Sequence, residues 1–430
     1  AKGAHDEVLD RCTAFESGGA LQPIEPGVIA GVRAEYEQLS ADGFRVLAVA
    51  ERELPARDRY TVADEAGLTL VGYVAFLDPP KDSARPALEA LQRHGVTVKV
   101  LTGDNEVVTE CVCRQVGLAV GAPLIGPDID AMTDEQLGAA VEAPGVCARL
   151  SPAHKARIIR VLRARDHVVG FLGDGINDAL ALRAADVGIS VDSAVDVAKE
   201  SADIILLEKS LVVLNEGVRQ GRKVFANILK YVRMGASSNF GNMFSVLGAS
   251  AMLPFLPMAP IQVLTNNLLY DVSQVPIPED NVDDEQVAAP HPWSVARIRR
   301  FILFVGPISS VFDYVTFAAM WFLFGARDAA HASLFQTGWF VESLLSQTLI
   351  IHVIRTNGVP FVRSHASWQL MATTLLVVTV GILLPASPVA GSLGVAPLPA
   401  GYWAFVVPTI AAYLLATQMA KRALIRRGLI

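Results

Sequence analysis

Two acids four residues apart, Asp174 and Asp178, stand where the apolar run HVVGFL meets a glycine turn in the stretch GFLGDGINDAL. Crowded carboxylates repel one another unless a cation or a shared proton lies between them. Their oxygens suit a hard cation such as Mg²⁺, whose other positions phosphate oxygens and water can fill. The spacing therefore predicts a catalytic Mg²⁺ site, in which Asn177 would orient the pair or donate a hydrogen bond.

Other polar residues follow strand-like runs in the same half of the chain. Asp78 ends one run, and Thr102, Gly103 and Asp104 end the next. A threonine hydroxyl can donate to a phosphoryl oxygen, and glycine lets the backbone approach closely. Lys155, in RLSPAHKARIIR, would oppose developing negative charge. Each residue alone also fits a turn or a solvated helix, but their positions on consecutive strand ends together indicate phosphoryl chemistry.

The region that must position these residues alternates strand-like runs, LTLVGYVAFLD, VTVKVLTGD, HVVGFLGDG, DVGISV and ADIILLE, with helical patterns. Such alternation predicts an α/β domain with a doubly wound parallel sheet, whose ligands bind at the carboxyl ends of the strands. Residues 1–68 are predicted to form part of a separate lobe, where Lys2 and Arg45 would contact phosphate or the adenine edge. Lone basic residues are also commonly just exposed.

Composition divides the chain of 430 residues, which is 52% hydrophobic and 18% charged. Most of the charge lies in residues 1–233, while the rest is dominated by runs long enough to cross a bilayer, for which about 20 residues are needed. The predicted spans are 234–253, 261–277, 301–324, 334–354, 368–384 and 402–420. We therefore predict an all-α membrane domain with six transmembrane helices.

Basic residues flank these spans on one side, which predicts that both ends of the chain and its soluble half face the cytoplasm. No basic patch is interleaved with aromatic residues, and this argues against nucleic acid as a partner. Cys111 and Cys113 could form a soft-metal pair, but no second Cys/His pair follows at ligand spacing. Free thiols in a reducing compartment are the favoured interpretation.

Polar residues inside the predicted spans indicate an ion path. Asn267 and Asp271 lie four apart, hence on one helical face, and Pro276 and Pro278 then break the helix and free backbone carbonyls. Intramembrane carboxylates are costly and usually functional, and oxygen ligands suit Mg²⁺ or Ca²⁺. Further polar residues occur in the first, third and fourth spans. Ser237, Ser238 and Asn242 equally fit hydrogen bonds between helices, and Asp313 and Glu342 add carboxylates.

Five stretches of the soluble half, KGA, GFRVLAVA, LDPPK, LTGDN and GDGINDALALRAADVGISV, resemble the P-type cation-transporting ATPases in order and spacing. The membrane half is most similar to the bacterial magnesium-transporting subgroup in SSNFGNMFSVLGAS, LTNNLLYDVSQVPIPEDNVD, GPISSVFDYVTF and FQTGWFVESLLSQTLIIHVIRT. The resemblance implies a haloacid dehalogenase-like phosphorylation domain at 69–215, the carboxyl-terminal part of a nucleotide-binding domain at 1–68, and a transmembrane domain at 216–430.

The same resemblance implies a role for each candidate residue. The catalytic Mg²⁺ would be held by Asp174 and Asp178, and the phosphoryl group would be handled by Thr102, Gly103, Asp104, Lys155 and Asn177. ATP, the substrate, would contact Lys2, Gly3, Arg45, Thr102 and Asp104. The transported ion would pass Asn239, Asn267, Asp271 and Glu342.

The expected function is ATP-driven import of Mg²⁺ across the bacterial inner membrane through an aspartyl phosphate. The family's phosphorylated aspartate, in an Asp-Lys-Thr-Gly-Thr motif, does not occur in this sequence. We therefore expect the chain to be the carboxyl-terminal half of a transporter, inactive alone, with the amino-terminal half as its partner. The alternatives are a non-catalytic membrane-bound half that binds nucleotide or Mg²⁺ or regulates a partner, a pump for another hard divalent cation such as Ca²⁺, and a phosphatase on the same soluble fold.

Overall fold

The computed structural model describes residues 1–77, 79–143 and 145–429, so Asp78 lies outside the described residues. The chain divides into two compact units, Ala1–Gly217 and Val218–Ile430. This division falls close to the predicted change from soluble to membrane sequence.

The first unit is mixed α/β. Its strands are β1 (Lys2–Gly3), β2 (Cys12–Ser17), β3 (Ala20–Pro23), β4 (Phe44–Glu51), β5 (Leu68–Leu77), β6 (Val100–Leu101), β7 (Leu124–Ile125), β8 (Val146–Ala148), β9 (Gly170–Leu172), β10 (Val187–Val191) and β11 (Ile204–Leu206). Its helices are α1 (His5–Leu9), α2 (Pro26–Ala41), α3 (Ala84–Arg93), α4 (Glu106–Gln115), α5 (Gly126–Ala131), α6 (Asp134–Glu142), α7 (Pro152–Ala164), α8 (Ala179–Ala184) and α9 (Asp196–Glu200).

Strands β1 to β5 form one five-stranded sheet in the order β1-β4-β5-β2-β3. Strand β5 pairs antiparallel with β4 from Thr69 to Leu77 and parallel with β2 at its start, whereas the sequence predicted that this run joins the parallel strands that follow it. The antiparallel pairing of β4 and β5 is consistent with burial of only one face of these two strands. Val46, Ala48 and Ala50 alternate inward along β4, and β5 contributes Leu68 and Leu70 to the same core. Alternation of this kind is typical of an antiparallel sheet with one solvated face.

The parallel strands form two sheets of three, ordered β6-β8-β7 and β11-β10-β9, where one continuous sheet was predicted. All four pairings in them are parallel. Within the described part of the chain, β6 and β9 are therefore both edge strands, because no strand joins them. Leu101 of β6 packs against the hydrophobic clusters of both sheets, as does Val169 just before β9. The two sheets thus share a packed boundary.

The second unit is helical. Helix α10 (Leu211–Met252) leads into it, followed by α11 (Pro260–Gln274), α12 (Asp284–Ala288), α13 (Val295–Phe322), α14 (Ala332–Ile354), α15 (Trp368–Leu383) and α16 (Ala400–Arg426). All six predicted spans fall on helices. Among the described residues, four helical stretches are long and apolar enough to cross a membrane: Val295–Phe322, Ala329–Ile354, Trp368–Ala386 and Ala400–Arg426. The helices over the first two predicted spans, α10 and α11, are not among these four. Helix α11 has only 15 residues.

Helix α14 is the centre of this unit, because 94% of its most apolar window is buried. Helices α11, α13, α15 and α16 pack around it. Gly338 marks one close approach, since a Cβ atom there would lie 2.5 Å from the sulfur of Met320 on α13. Close helix packing in membranes relies on small residues of this kind.

Candidate functional site

The acidic pair lies on the turn that follows β9. After Leu172 the chain passes through Gly173, Asp174 and Gly175 into a single 3₁₀ turn (Ile176–Asp178), and α8 follows. Asp178 folds back onto the turn, where its Oδ2 accepts a hydrogen bond from the backbone N–H of Gly175 at 3.2 Å. A Cβ atom on Gly173 would lie 2.6 Å from the Cβ of Asp178 and 2.9 Å from its Oδ2. The carboxylate thus occupies space that is open only because residue 173 has no side chain.

Each acid is paired with a lysine. The ammonium of Lys155, from α7, donates to Asp178 Oδ1 at 2.8 Å, and the two side chains are only 12% and 13% exposed. The ammonium of Lys209 donates to Asp174 Oδ2, also at 2.8 Å, but these side chains are 58% and 52% exposed. The sequence analysis placed Lys155 in the same site, as a charge that faces the phosphoryl group, and did not predict its contact with Asp178. Lys209 was missed, and its only sequence signal is that it follows the strand-like run ADIILLE.

The side chains of this turn fit a hard cation. Asp174 and Asp178, each paired with a lysine ammonium in this structure, supply the carboxylate oxygens that Mg²⁺ prefers. Across the described ranges, no group of three or more His, Cys, Asp or Glu side chains is gathered as a metal site. A cation at Asp174 and Asp178 would therefore draw its remaining ligands from water and phosphate, as Mg²⁺ commonly does. Asn177 is exposed on the same turn, and among the described contacts it forms no side-chain hydrogen bond to either acid.

Gly173→Ala is expected to displace the Asp178 carboxylate, because the added methyl group would overlap its Cβ and Cγ atoms. If Asp178 binds a metal as the sequence predicts, repositioning its carboxylate in this way should weaken Mn²⁺ or Mg²⁺ binding by about 10-fold or more. Electron paramagnetic resonance titration of the purified chain with Mn²⁺ measures this. Gly121→Ala is the control, because nothing lies within 4 Å of a Cβ at that position. Equal Mn²⁺ affinity in the two variants would contradict the importance of this close approach.

A second group of candidates meets after β6. The Thr102 hydroxyl donates to Asp104 Oδ2 at 3.1 Å and accepts from the backbone N–H of Asp104 at 3.1 Å. Arg45, from β4, places its Nε 3.4 Å from Asp104 Oδ1. Asn105 then caps α4 by accepting from the N–H of Val108. The structure thus brings together Arg45, Thr102 and Asp104, which the sequence assigned to nucleotide and phosphoryl contacts.

The remaining nucleotide candidates lie on β1. Lys2 is exposed, and Gly3 pairs with Ala48 of β4. Beside them, the His5 ring stacks on Tyr36 with ring centroids 4.2 Å apart and is hydrogen-bonded to the Tyr73 hydroxyl at 2.8 Å. Burial lowers the pKa of His5, so this ring is neutral near pH 7 and fixes α1 against the sheet.

The cysteines near this site are poor soft-metal ligands. Burial raises the pKa of Cys113, and it raises the pKa of Cys147 to about 11. A protonated thiol neither attacks nor coordinates, because the thiolate is the reactive form. The raised pKa of Cys113 favours the free-thiol interpretation of that residue, and no disulfide bond joins Cys111 or Cys113 to another cysteine among the described residues.

In the membrane unit, the four candidates for the transported ion lie in two different environments. Asn239 on α10, and Asn267 and Asp271 on α11, are exposed. Glu342, on α14, is buried at 1% exposure. The helix over Pro260–Gln274 confirms that Asn267 and Asp271 share one face. An exposed carboxylate at membrane depth is costly unless it faces protein or a water-filled path.

The surroundings of Glu342 were only partly anticipated. Among the described residues, Oε2 of its buried carboxyl group has no hydrogen-bond partner. Asp313, on α13, is likewise only 3% exposed. Asp313 also accepts from the Ser245 hydroxyl at 2.6 Å and from the Trp339 indole N–H at 2.8 Å. The acid of the third span therefore pairs with its neighbours, one of the two interpretations that its sequence allowed.

Two protein families match parts of the chain. The family described as "P-type ATPase, cytoplasmic domain N" matches residues 1–83, which include all five strands of the first sheet. The family described as "Cation transporting ATPase, C-terminus" matches residues 255–423. "Magnesium-transporting ATPase, P-type 1" of Escherichia coli K12 is 54% identical over 427 residues, which cover 99% of this chain and 48% of that protein. This chain belongs to the P-type cation-transporting ATPases.

Other P-type ATPases are similar to lesser extents. A protein of the same name from Salmonella typhimurium LT2 is 53% identical over 427 residues, 99% of this chain and 47% of its own length. A calcium-transporting ATPase of Listeria monocytogenes is 33% identical over 273 residues, 63% of this chain and 31% of its own length. The chain spans about half the length of the magnesium-transporting relatives that it matches.

Proposed function

We propose that this chain is part of a pump that imports Mg²⁺ at the expense of ATP through an aspartyl-phosphate intermediate. The phosphorylated aspartate belongs to a segment outside these 430 residues. The proposed regions are a nucleotide lobe at 1–68, a phosphorylation domain at 69–215 and a membrane domain at 216–430. Strand β5 begins at their first boundary and pairs with the strands of the lobe.

The observation that carries the proposal is the pair of edge strands in the first unit. Strands β6 and β9 each end in candidate site residues, and in the described ranges each has a strand neighbour on one side only. Leu101 packs against both clusters, and Leu172 leaves an apolar side chain of β9 38% exposed. One further parallel strand between them would complete a doubly wound sheet. In the haloacid dehalogenase-like domain that the sequence resembles, such a strand carries the phosphorylated aspartate.

The site residues then take definite roles. Asp174 and Asp178 hold Mg²⁺, which neutralises the charge on the phosphoryl group that is being transferred. The Thr102 hydroxyl donates to a phosphoryl oxygen, and Lys155 opposes its negative charge. Arg45 and Asp104, already in contact, orient the ATP together with Lys2 and Gly3.

The transport path is proposed to follow the exposed polar residues of α10 and α11. Asn239, Asn267 and Asp271 offer oxygen ligands on faces that the described helices leave uncovered, and an intramembrane acid is usually functional. Glu342 would contribute from α14. We propose six transmembrane helices in the bacterial inner membrane, with the first unit in the cytoplasm, from the basic residues that flank the spans. The names of the relatives at 54% and 53% identity favour Mg²⁺ as cargo, and the calcium-transporting relative at 33% keeps Ca²⁺ as the alternative.

The test begins with the reading frame upstream of Ala1, in which an Asp-Lys-Thr-Gly-Thr motif preceded by four apolar spans is expected. In that longer protein, phosphate from labelled ATP should become bound in an acid-stable, hydroxylamine-sensitive form, as an acyl phosphate. Asp174→Asn should lower this labelling by about 100-fold or more, since it removes a charged ligand of the metal that stabilises phosphoryl transfer.

Asp196→Asn is the matched control, because Asp196 is 90% exposed on α9 and is paired only with Lys199 among the described contacts. Normal labelling of the Asp174→Asn protein would contradict the assignment of the acidic pair. A reading frame without the motif would instead favour the second candidate, a non-catalytic half that binds nucleotide or Mg²⁺ and regulates a partner.

A further inference from the structure

We propose that Lys209 is a tethered counter-ion that competes with Mg²⁺ for Asp174 and so sets the metal affinity of the phosphorylation site. The inference rests on the proposed function, because it requires that Asp174 and Asp178 bind Mg²⁺. It adds a positioning residue to the site that neither the motifs nor the similar proteins assign.

The sheet topology explains how Lys209 reaches the site. Strands β9, β10 and β11 are parallel neighbours, so the turn after β9 and the segment after β11 emerge at the same edge. The backbone carbonyl of Lys209 accepts a hydrogen bond from the Lys81 ammonium at 2.8 Å. This contact holds the segment after β11 in place, while the Lys209 side chain extends to Asp174 Oδ2.

The two lysine contacts of the acidic pair differ in strength. Lys155 and Asp178 are largely enclosed, whereas Lys209 and Asp174 are each more than half exposed. An exposed ion pair of this kind is weak and screened by salt. Lys155 therefore remains at the site throughout, and Lys209 is the cation that an arriving Mg²⁺ displaces.

The Lys209 ammonium donates to Oδ2 of Asp174 and has no lone pair to offer a metal, so it cannot join the coordination of Mg²⁺. A metal ion that binds this carboxylate brings a second positive charge against the ammonium, and the repulsion between the two weakens or breaks the ion pair. At the strength of exposed pairs, this competition weakens Mg²⁺ binding by about two- to fivefold. The same ammonium can replace the cation as it leaves, which favours release.

Manganese titration of the full 430-residue chain in detergent, followed by electron paramagnetic resonance, tests the proposal. Mn²⁺ binding at this site is identified as the component of the titration that disappears in the Asp174→Asn variant. Lys209→Met is expected to tighten that binding two- to fivefold at low salt, and Lys209→Arg, which keeps the charge, should retain the original affinity. The gain should shrink towards 1 M KCl, where the screening length falls to about 3 Å.

Lys199→Met is the matched control for net charge. Lys199 lies on α9 and pairs with Asp196. This helix is close to the site, because the backbone N–H of Val195, just before α9, donates to the backbone carbonyl of Asp174. An equal gain in Lys199→Met, or no gain in Lys209→Met, would overturn the proposal while leaving the metal site intact. Unchanged Mn²⁺ binding in Asp174→Asn would overturn the metal site itself and this inference with it.

Discussion

Asp271→Asn is expected to abolish the proposed Mg²⁺ uptake by the longer protein while nucleotide binding to the first unit persists. Asp271 lies on the exposed face that it shares with Asn267 on α11, and the substitution removes a charge with little change of shape. Loss of even an outer partner of a bound metal lowers affinity by about 10- to 100-fold, and loss of a charged ligand should cost more. Growth of a bacterial strain that lacks its own Mg²⁺ transporters, at limiting Mg²⁺, measures the effect.

Asp284→Asn provides the control, because it is the same substitution at an exposed aspartate, at the start of α12. Binding of a fluorescent ATP analogue separates a transport defect from a folding defect, since the first unit should bind it equally in both variants. Full growth of the Asp271→Asn or Asp271→Ala strain would refute the proposed ion path.

Asp280→Ala is expected to destabilise the membrane unit by about 3–5 kcal/mol, because it removes the anion from a buried cluster of charges. Asp280 has no exposed side-chain surface and contacts Lys230 at 2.9 Å and Arg355 at 2.7 Å. It also accepts from the backbone N–H of Ser367 at 3.0 Å. Without it, two cations with at most 5% exposure would remain uncompensated.

Thermal unfolding of the purified chain in detergent, followed by circular dichroism, measures this loss. Glu279→Ala is the control, because the Glu279 side chain is exposed and, among the described contacts, accepts one hydrogen bond, from the Gln369 side-chain amide at 3.4 Å. Similar midpoints for the two variants would indicate that the cluster contributes little to stability.

The same cluster of charges predicts that the stability of the membrane unit depends on pH. Burial opposes ionisation of Asp280, but hydrogen bonds from Arg355 and the charge of Lys230 hold its pKa below the ordinary value. Burial also lowers the pKa of Lys230 in spite of this contact, and the charge of Arg355 adds to that effect; two cations thus share one anion. Since the folded pKa of Asp280 is the lower one, its contribution is present above about pH 4 and is lost as the pH falls through the folded value. Asp280→Ala should lack this acid-sensitive step.

The sequence was most informative where a single segment carries the whole signal. The glycine turn after β9 and the spacing of Asn267 and Asp271 are local patterns, and the structure reproduces both. The apolar runs likewise predicted helices at all six positions. Length and hydropathy separate four of these from α10 and α11, and α11 is too short at 15 residues.

Features that depend on partners distant in the chain could not be predicted. Strand β5 pairs antiparallel with β4 because both bury one face against the same core, and an isolated apolar run does not reveal its neighbour. Lys209 reaches Asp174 across 35 residues, and Trp339 reaches Asp313 from the next helix. Asp280 joins residues 50 and 75 positions away. These contacts arise from sheet order and helix packing, which no local pattern encodes.

The open edges of β6 and β9 also bear on how such a protein is made. Unpaired strand edges present free backbone donors and acceptors that can template another chain, and an exposed apolar residue such as Leu172 strengthens that hazard. A parallel sheet whose central strand comes from a remote segment closes slowly, because loop closure precedes its stabilising contacts. We therefore expect the protein to remain prone to self-association, and dependent on chaperones, until the strand proposed to lie between β6 and β9 is inserted.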